Sequence, residues 1–193
     1  MESENKQSIQ LKQIKKKDIK IQSIYSRSLL TRKIILTLDQ IGKNLNENLE
    51  YAIANNYEGK CGIEGYIKPG SCKIIRYSSG LLERGQNIVF EVVFECFICF
   101  PVEGMLINCV AKNITKAGIR AESQNETPSP IVVFIAKDHH YNSKQFGAIK
   151  EGDKLLVRVL GQRFELNDKY ISIIAELVQD YNKEEKTKPR LII

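Results

Sequence analysis

Five cysteines, two histidines and a scatter of lysines and arginines are the side chains in this 193-residue chain with chemistry to offer. Cys96-Phe97-Ile98-Cys99 has the C-x-x-C spacing that elsewhere holds zinc or a redox pair. The run around it, Ile88 to Phe100, reads as a strand buried on both faces for much of its length. Side chains three apart on a strand point to opposite sides, so the two sulfurs diverge. A structural zinc site also needs a second pair at similar spacing, which Cys61, Cys72 and Cys109 do not supply. Reduced core cysteines are the expectation. Asp138-His139-His140 brings two imidazoles together, but the chain has no third histidine. A surface turn is expected there, adding hydrogen bonds to a neighbouring face. No G-x-S-x-G, no P-loop and no nucleophile beside a base occurs, so no catalytic residue, metal or cofactor is expected.

The remaining candidates are cations and one ring. Lys116, Arg120, Lys137 and Arg158 lie close in sequence to strand-like segments, and Phe134 stands inside one of them. Cations track a phosphate backbone and an exposed ring stacks on bases, which is the chemistry of single-stranded nucleic acid. Phe134 belongs to Ile131-Val132-Val133-Phe134-Ile135, where both alternation sets are apolar. The ring therefore points either out to a ligand or into a core.

These residues need a scaffold. Strand-like runs occur at Pro101–Val110, entered through Gly104, on either side of Gly118, at Ile131–Ile135, at Ile149–Leu160 and at Lys169–Ala175. Five short strands with Gly and Asp turns fit a small OB barrel, whose outer face and loops bind oligonucleotides. Ahead of it lie a strand at Lys33–Leu38 and a helix at Asn46–Asn56, with Leu45, Leu49, Ala52 and Ile53 at helical spacing. Then come a bending stretch from Cys61 to Ile67, a strand at Lys73–Tyr77, a polar loop at Leu81–Asn87 and the long apolar strand. The division expected is a flexible basic arm over residues 1–22, an α+β unit over 23–100, an all-β barrel over 101–179 and a tail over 180–193.

The net charge of +6 permits a polyanionic partner. Residues 1–22 hold six lysines against three carboxylates, so half of that excess lies in the arm. The body is only mildly basic, which argues against tight duplex binding by phosphate neutralisation alone. No apolar run approaches the ~20 residues of a membrane span, and an intracellular protein is expected.

The order of the short motifs resembles one family. Leu36-Thr37-Leu38, the helix, Glu58-Gly59-Lys60-Cys61 and Gly65-Tyr66-Ile67 are followed by Phe90-Glu91-Val92-Val93-Phe94 and by Phe100-Pro101-Val102-Glu103-Gly104. The Lys150-Glu151-Gly152-Asp153-Lys154…Val157-Arg158-Val159 segment is similar to S1 RNA-binding domains. Together they resemble the RNA polymerase stalk subunit, the seventh subunit of eukaryotic polymerase II and the archaeal E-prime subunit, most like versions from large DNA viruses. The resemblance covers about residues 28 to 178. It implies a truncated RNP-like tip domain (β-α-β-β) followed by an S1-type OB barrel. It implies a non-catalytic subunit of a DNA-directed RNA polymerase. Its partners would be the large polymerase subunits at the clamp, a fourth-subunit-type stalk partner and nascent single-stranded RNA. Core docking would fall to Gly65, Tyr66, Ile67 and Lys68, presented outward at a bend, and RNA contact to Lys116, Arg120, Phe134, Lys137 and Arg158. A nucleus or a cytoplasmic viral factory would be the location, with packaging into the virion left open. The chain departs from many S1 domains at Ala117 and Ile119, where stacking rings are absent, so RNA contact is expected to be weak and charge-driven. The rival is a free-standing S1-domain RNA-binding protein acting in translation or RNA decay.

Overall fold

The computed structural model describes residues 23–83, 85–140 and 144–178. The arm expected over 1–22 and the tail over 180–193 lie outside these residues.

The first unit is built on one strand. β6 (Asn87–Cys99) pairs along all 13 of its residues with β1 (Tyr25–Thr37). Its other edge is tiled by three shorter strands in turn: β5 (Leu81–Leu82), β4 (Lys73–Tyr77) and β3 (Gly65–Ile67). β3 in turn pairs with β2 (Cys61–Gly62), completing a six-stranded antiparallel sheet. Helix α1 (Leu45–Tyr57) covers one face. Leu49 and Ile53, one helical turn apart, bury against Leu30, Ile34, Phe90, Val92 and Phe94. α1 ends at Glu58, after which Gly59 takes φ +70, a left-handed turn that suits glycine.

Three expectations need correction. β1 begins eight residues earlier than Lys33, because β6 offers it a full-length partner and pairing overrides the polar character of Ser26 to Arg32. Four short strands follow the helix before β6, where a bending stretch and one strand were expected, and Leu81–Leu82 is one of them rather than loop. β6 is continuously buried on one face only. Phe90, Val92, Phe94, Cys96 and Ile98 lie under the helix, whereas Glu91 and Phe97 on the other face are exposed.

The second unit is a closed five-stranded barrel. β7 (Leu106–Ile114), β8 (Gly118–Ser123), β9 (Ile131–Ala136), β10 (Lys154–Arg163) and β11 (Ile171–Leu177) close in the order β7-β8-β9-β11-β10 and back to β7. β9 and β11 run parallel and every other pair antiparallel. The arrangement is compatible with an OB-like barrel. Alternation holds along β7, β9 and β11 but lapses in β10, where Leu155, Leu156 and Val157 are buried in succession. Ile119, Ala121, Ile131, Val133, Ile135, Val157, Val159, Ile171, Ile173 and Ala175 fill the interior. Between β9 and β10 the chain makes a 3-10 turn (Lys137–His140) and one helical turn (Lys144–Gly147). His140 is buried, not a surface group. Its Nε2 accepts the Leu177 N–H at 3.1 Å, and its ring stacks on Phe146. No helix among the described residues is long and apolar enough to cross a membrane.

Candidate nucleic-acid interface

The outward side chains of β8, β9 and β11 set the geometry of the barrel face. Interior residues take the odd positions of β9, so Phe134 faces out and is 38% exposed. Arg120 lies directly opposite it on β8, and Ile174 lies beside it on β11. Arg120, Phe134 and Ile174 thus form one row across three strands, with Ile174 exposed. The Phe134 ring leans diagonally over Gly118. A Cβ at Gly118 would meet that ring at 2.9 Å and the Ile135 carbonyl oxygen at 2.3 Å, so the ring can lie there only over glycine.

The β7–β8 turn is closed by Thr115. Its hydroxyl donates to the Gly118 carbonyl at 2.9 Å and accepts the Gly118 N–H at 3.2 Å, leaving Lys116 exposed at the tip. The Lys137 N–H donates to the Ala117 carbonyl at 3.0 Å, which ties the start of the 3-10 turn to this tip. Lys116, Lys137, Arg120 and Phe134 therefore meet at one corner of the barrel. Arg158 does not join them. It sits on β10, on the far side of β11 from Phe134, opposite Glu176.

Two of the four cations are already paired. Arg120 lies 3.7 Å from Glu122 and Arg158 lies 3.1 Å from Glu176. Exposed pairs of this kind contribute ~0–1 kcal/mol, so a phosphate competes for either arginine at little cost. Lys116 and Lys137 have no ion pair among the described residues. Arg120 and Glu122 also line a cleft of about 360 Å³ under the Thr127-Pro128 loop, together with Lys112, Lys169 and Tyr170. Sequence reasoning missed Ile174, Lys169 and Tyr170. Ile174 was accessible from the alternation of Ile171, Ile173 and Ala175, which leaves it outward.

The second set of candidates sits elsewhere. Gly65, Tyr66 and Ile67 are all buried, Tyr66 at 1% exposure, so they are not presented outward as expected. β3 is covered on both sides. Tyr66 packs with Cys61, Cys99 and the barrel interior, whereas Ile67 packs with the helix-side core. Gly65 has φ +121, and a Cβ there would come within 2.4 Å of the Cys99 carbonyl oxygen. Lys68 is half-buried, with Nζ 3.1 Å from Glu126 and 4.7 Å from the centre of the Tyr25 ring. Burial, with Glu126 nearby, pushes the Tyr25 hydroxyl well above its usual range. The exposed member of this hairpin is Ile63, 78% exposed at its tip between Gly62 and Gly65. The flanking glycines were the signal for that turn.

No protein-family model matches the chain. A protein of Acanthamoeba polyphaga mimivirus, provisionally named as a DNA-directed RNA polymerase subunit, is 25% identical over 179 residues, 85% of this chain and 87% of its own length. Subunit 7 of DNA-directed RNA polymerase II from Arabidopsis thaliana is 29% identical over 111 residues, 56% of this chain and 60% of its own. The chain resembles the seventh-subunit family of RNA polymerases, in a form close to a viral one. The Glycine max seventh subunit is 27% identical over 110 residues, so the chain spans about three fifths of either plant protein. A match over 85% of the chain has to run through both the sheet and the barrel. The viral resemblance therefore belongs to the two-unit arrangement and not to an OB-like barrel alone.

Proposed function

We propose that the chain is the non-catalytic stalk subunit of a multisubunit DNA-directed RNA polymerase. In this reading the sheet unit is the family's RNP-like tip and docks on the large subunits near the clamp. The barrel contacts nascent single-stranded RNA. The observation that carries the proposal is the match to a viral polymerase subunit over most of both chains. Lys116, Arg120, Phe134 and Lys137 form the RNA contact at one barrel corner, and Arg158 adds a phosphate contact further along the strand's path. Phe134 is a single exposed platform, so affinity is modest and dominated by charge.

The hairpin of Gly65, Tyr66, Ile67 and Lys68 serves docking by holding its tip in place, and Ile63 makes the outward contact. A fourth-subunit-type partner has apolar side chains to cover on the sheet face away from the helix. Leu29, Ile35 and Phe97 are exposed there. The protein acts inside the cell, where the polymerase works. The test is affinity purification of the tagged chain from infected or expressing cells. Recovery of the two large polymerase subunits in equal amount is the expected result. Recovery of ribosomes or RNA-decay enzymes without them would favour the free-standing RNA-binding protein instead.

A further inference from the structure

The C-x-x-C spacing draws attention to the wrong pair of thiols. Cys96 belongs to the helix-side core and Cys99 to the barrel-side core, so their sulfurs point apart. The sulfur that meets Cys96 is that of Cys72. Lys73 lies opposite Glu95 in the β4–β6 ladder, and one step further along the ladder puts Cys72 opposite Cys96. Each thiol is the largest influence on the ionisation of the other, and both residues are free cysteines. Directly opposite residues on antiparallel strands have Cα atoms ~4.5–5.5 Å apart, inside the ~4.4–6.8 Å window of a disulfide.

We propose that Cys72 and Cys96 are an oxidation site, closing to a reversible disulfide that pins β4 to β6. Access and acidity are divided between them. Cys72 is half-buried and reachable from solvent, whereas Cys96 is fully buried. The Glu58 carboxylate accepts the Cys72 backbone N–H at 2.9 Å and holds negative charge beside the Cys72 thiol. The neighbouring thiol favours ionisation of Cys96, whereas Cys96, burial and Glu58 disfavour that of Cys72.

With hydrogen peroxide as the oxidant, the Cys96 sulfur, the one whose ionisation is favoured, attacks one peroxide oxygen. An S–O bond forms, the O–O bond breaks, and the departing hydroxide leaves as water with the Cys96 proton. The Cys72 sulfur then attacks the Cys96 sulfur. The S–S bond forms, the S–O bond breaks, and the second hydroxide leaves as water with the Cys72 proton. Two electrons pass from the two thiols to one peroxide.

The other thiols have no partner at bonding distance. Cys61 and Cys99 flank Tyr66 in a three-strand row, which separates them by two strand spacings, ~9.5 Å. Cys109 lies alone in the barrel interior.

The experiment titrates the reduced full-length chain with hydrogen peroxide, alkylates the remaining thiols with iodoacetamide and maps peptides by mass. One cross-linked peptide pair joining Cys72 to Cys96 is expected, reversed by dithiothreitol. Melting of the oxidised chain should shift upward by roughly 5–10 °C. Cys72→Ser should abolish the link, and Cys99→Ser should leave it intact at unchanged circular dichroism. Over-oxidation of Cys96 or Cys72 without a link, or five thiols that remain fully alkylatable after peroxide and unfolding, would overturn the proposal. So would a link that survives Cys72→Ser.

Discussion

Truncating Tyr66 to alanine decides whether the Gly65–Lys68 hairpin is an anchor surface or a structural joint. The ring is 1% exposed and packs in the cluster that also holds Cys61, Cys99 and the barrel interior. Removing a buried aromatic side chain typically costs ~3–5 kcal/mol. For a chain of this size each kcal/mol moves the melting temperature by roughly 2–4 °C, so Tyr66→Ala should melt at least ~6 °C lower. The contrasting perturbation is Ile63→Glu, at a position 78% exposed. A surface change of that kind normally stays within ~0.5 kcal/mol, so its melt should shift by no more than ~2 °C. The assay pairs a thermal melt of each variant with co-purification of polymerase. Ile63→Glu should lose the large subunits while melting like the parent. Tyr66→Ala should lose stability whether or not polymerase is present. If Tyr66→Ala melts within ~1 °C of the parent, the ring does not hold the joint and the reasoning fails.

Phe134→Ala should weaken single-stranded RNA by ~1–3 kcal/mol, read by fluorescence anisotropy. It should melt closer to the parent than Val133→Gly, whose side chain is fully buried next to it. Of the four candidate cations, Lys116 and Lys137 have no ion pair among the described residues, so the logarithm of RNA affinity should fall against the logarithm of salt with a slope of ~1.4, rising toward ~2.8 if RNA displaces both carboxylates from the arginines. Lys116→Ala should lower that slope by ~0.7 without changing sequence preference. His140 gives a pH signature. Burial, the largest influence, lowers its folded pKa, with His139 adding to the effect and Glu176 opposing it. The folded state therefore favours neutral imidazole, whose Nε2 accepts the Leu177 N–H. Its contribution is complete above the unfolded value of ~6.5 and is lost as pH falls through the depressed folded value. Melting temperature should drop over that interval, and His140→Gln should flatten the drop.

What the sequence made legible were segments whose neighbours agree with their own pattern. The barrel strands alternate because one face of each meets the interior, and Leu49 and Ile53 recur at helical spacing because one helix face meets the sheet. Phe134 could not be oriented from its strand, since Val132 and Phe134 are as apolar as Ile131, Val133 and Ile135. Only barrel closure decides which set turns in. β3 was unreadable for a related reason. Gly65, Tyr66 and Ile67 are buried in succession because the barrel lies on one side of the hairpin and the helix-side core on the other. A three-residue segment carries no period that records two separate cores. The Cys72–Cys96 meeting was likewise hidden, because it follows from the β4–β6 register and not from spacing along the chain.

The joint between sheet and barrel links these observations mechanically. The Cys61 N–H donates to the Asp168 carbonyl at 2.8 Å, and the Asn167 N–H donates back to the Cys61 carbonyl at 2.9 Å. This reciprocal pair ties the hairpin to the β10–β11 loop through main chain alone, independently of side-chain identity. Lys68 and Glu126 close a second connection on the loop between β8 and β9, and Tyr66 fills the space inside. Burial, with Asp168 nearby, raises the Cys61 thiol to about 11, and burial together with Cys61 raises Cys99 to about 12. Both stay neutral in this joint at ordinary pH, so of these contacts the Lys68–Glu126 pair is the one that salt weakens. Two loops of the barrel are thus held by one hairpin, and a rotation of the barrel on the sheet would break main-chain bonds before it moved Phe134. A docked Ile63 would then fix not only where the barrel sits but which way its Arg120–Phe134–Ile174 row faces. Gly65, Tyr66 and Ile67 act from inside, by making the direction of the barrel face a property of the fold.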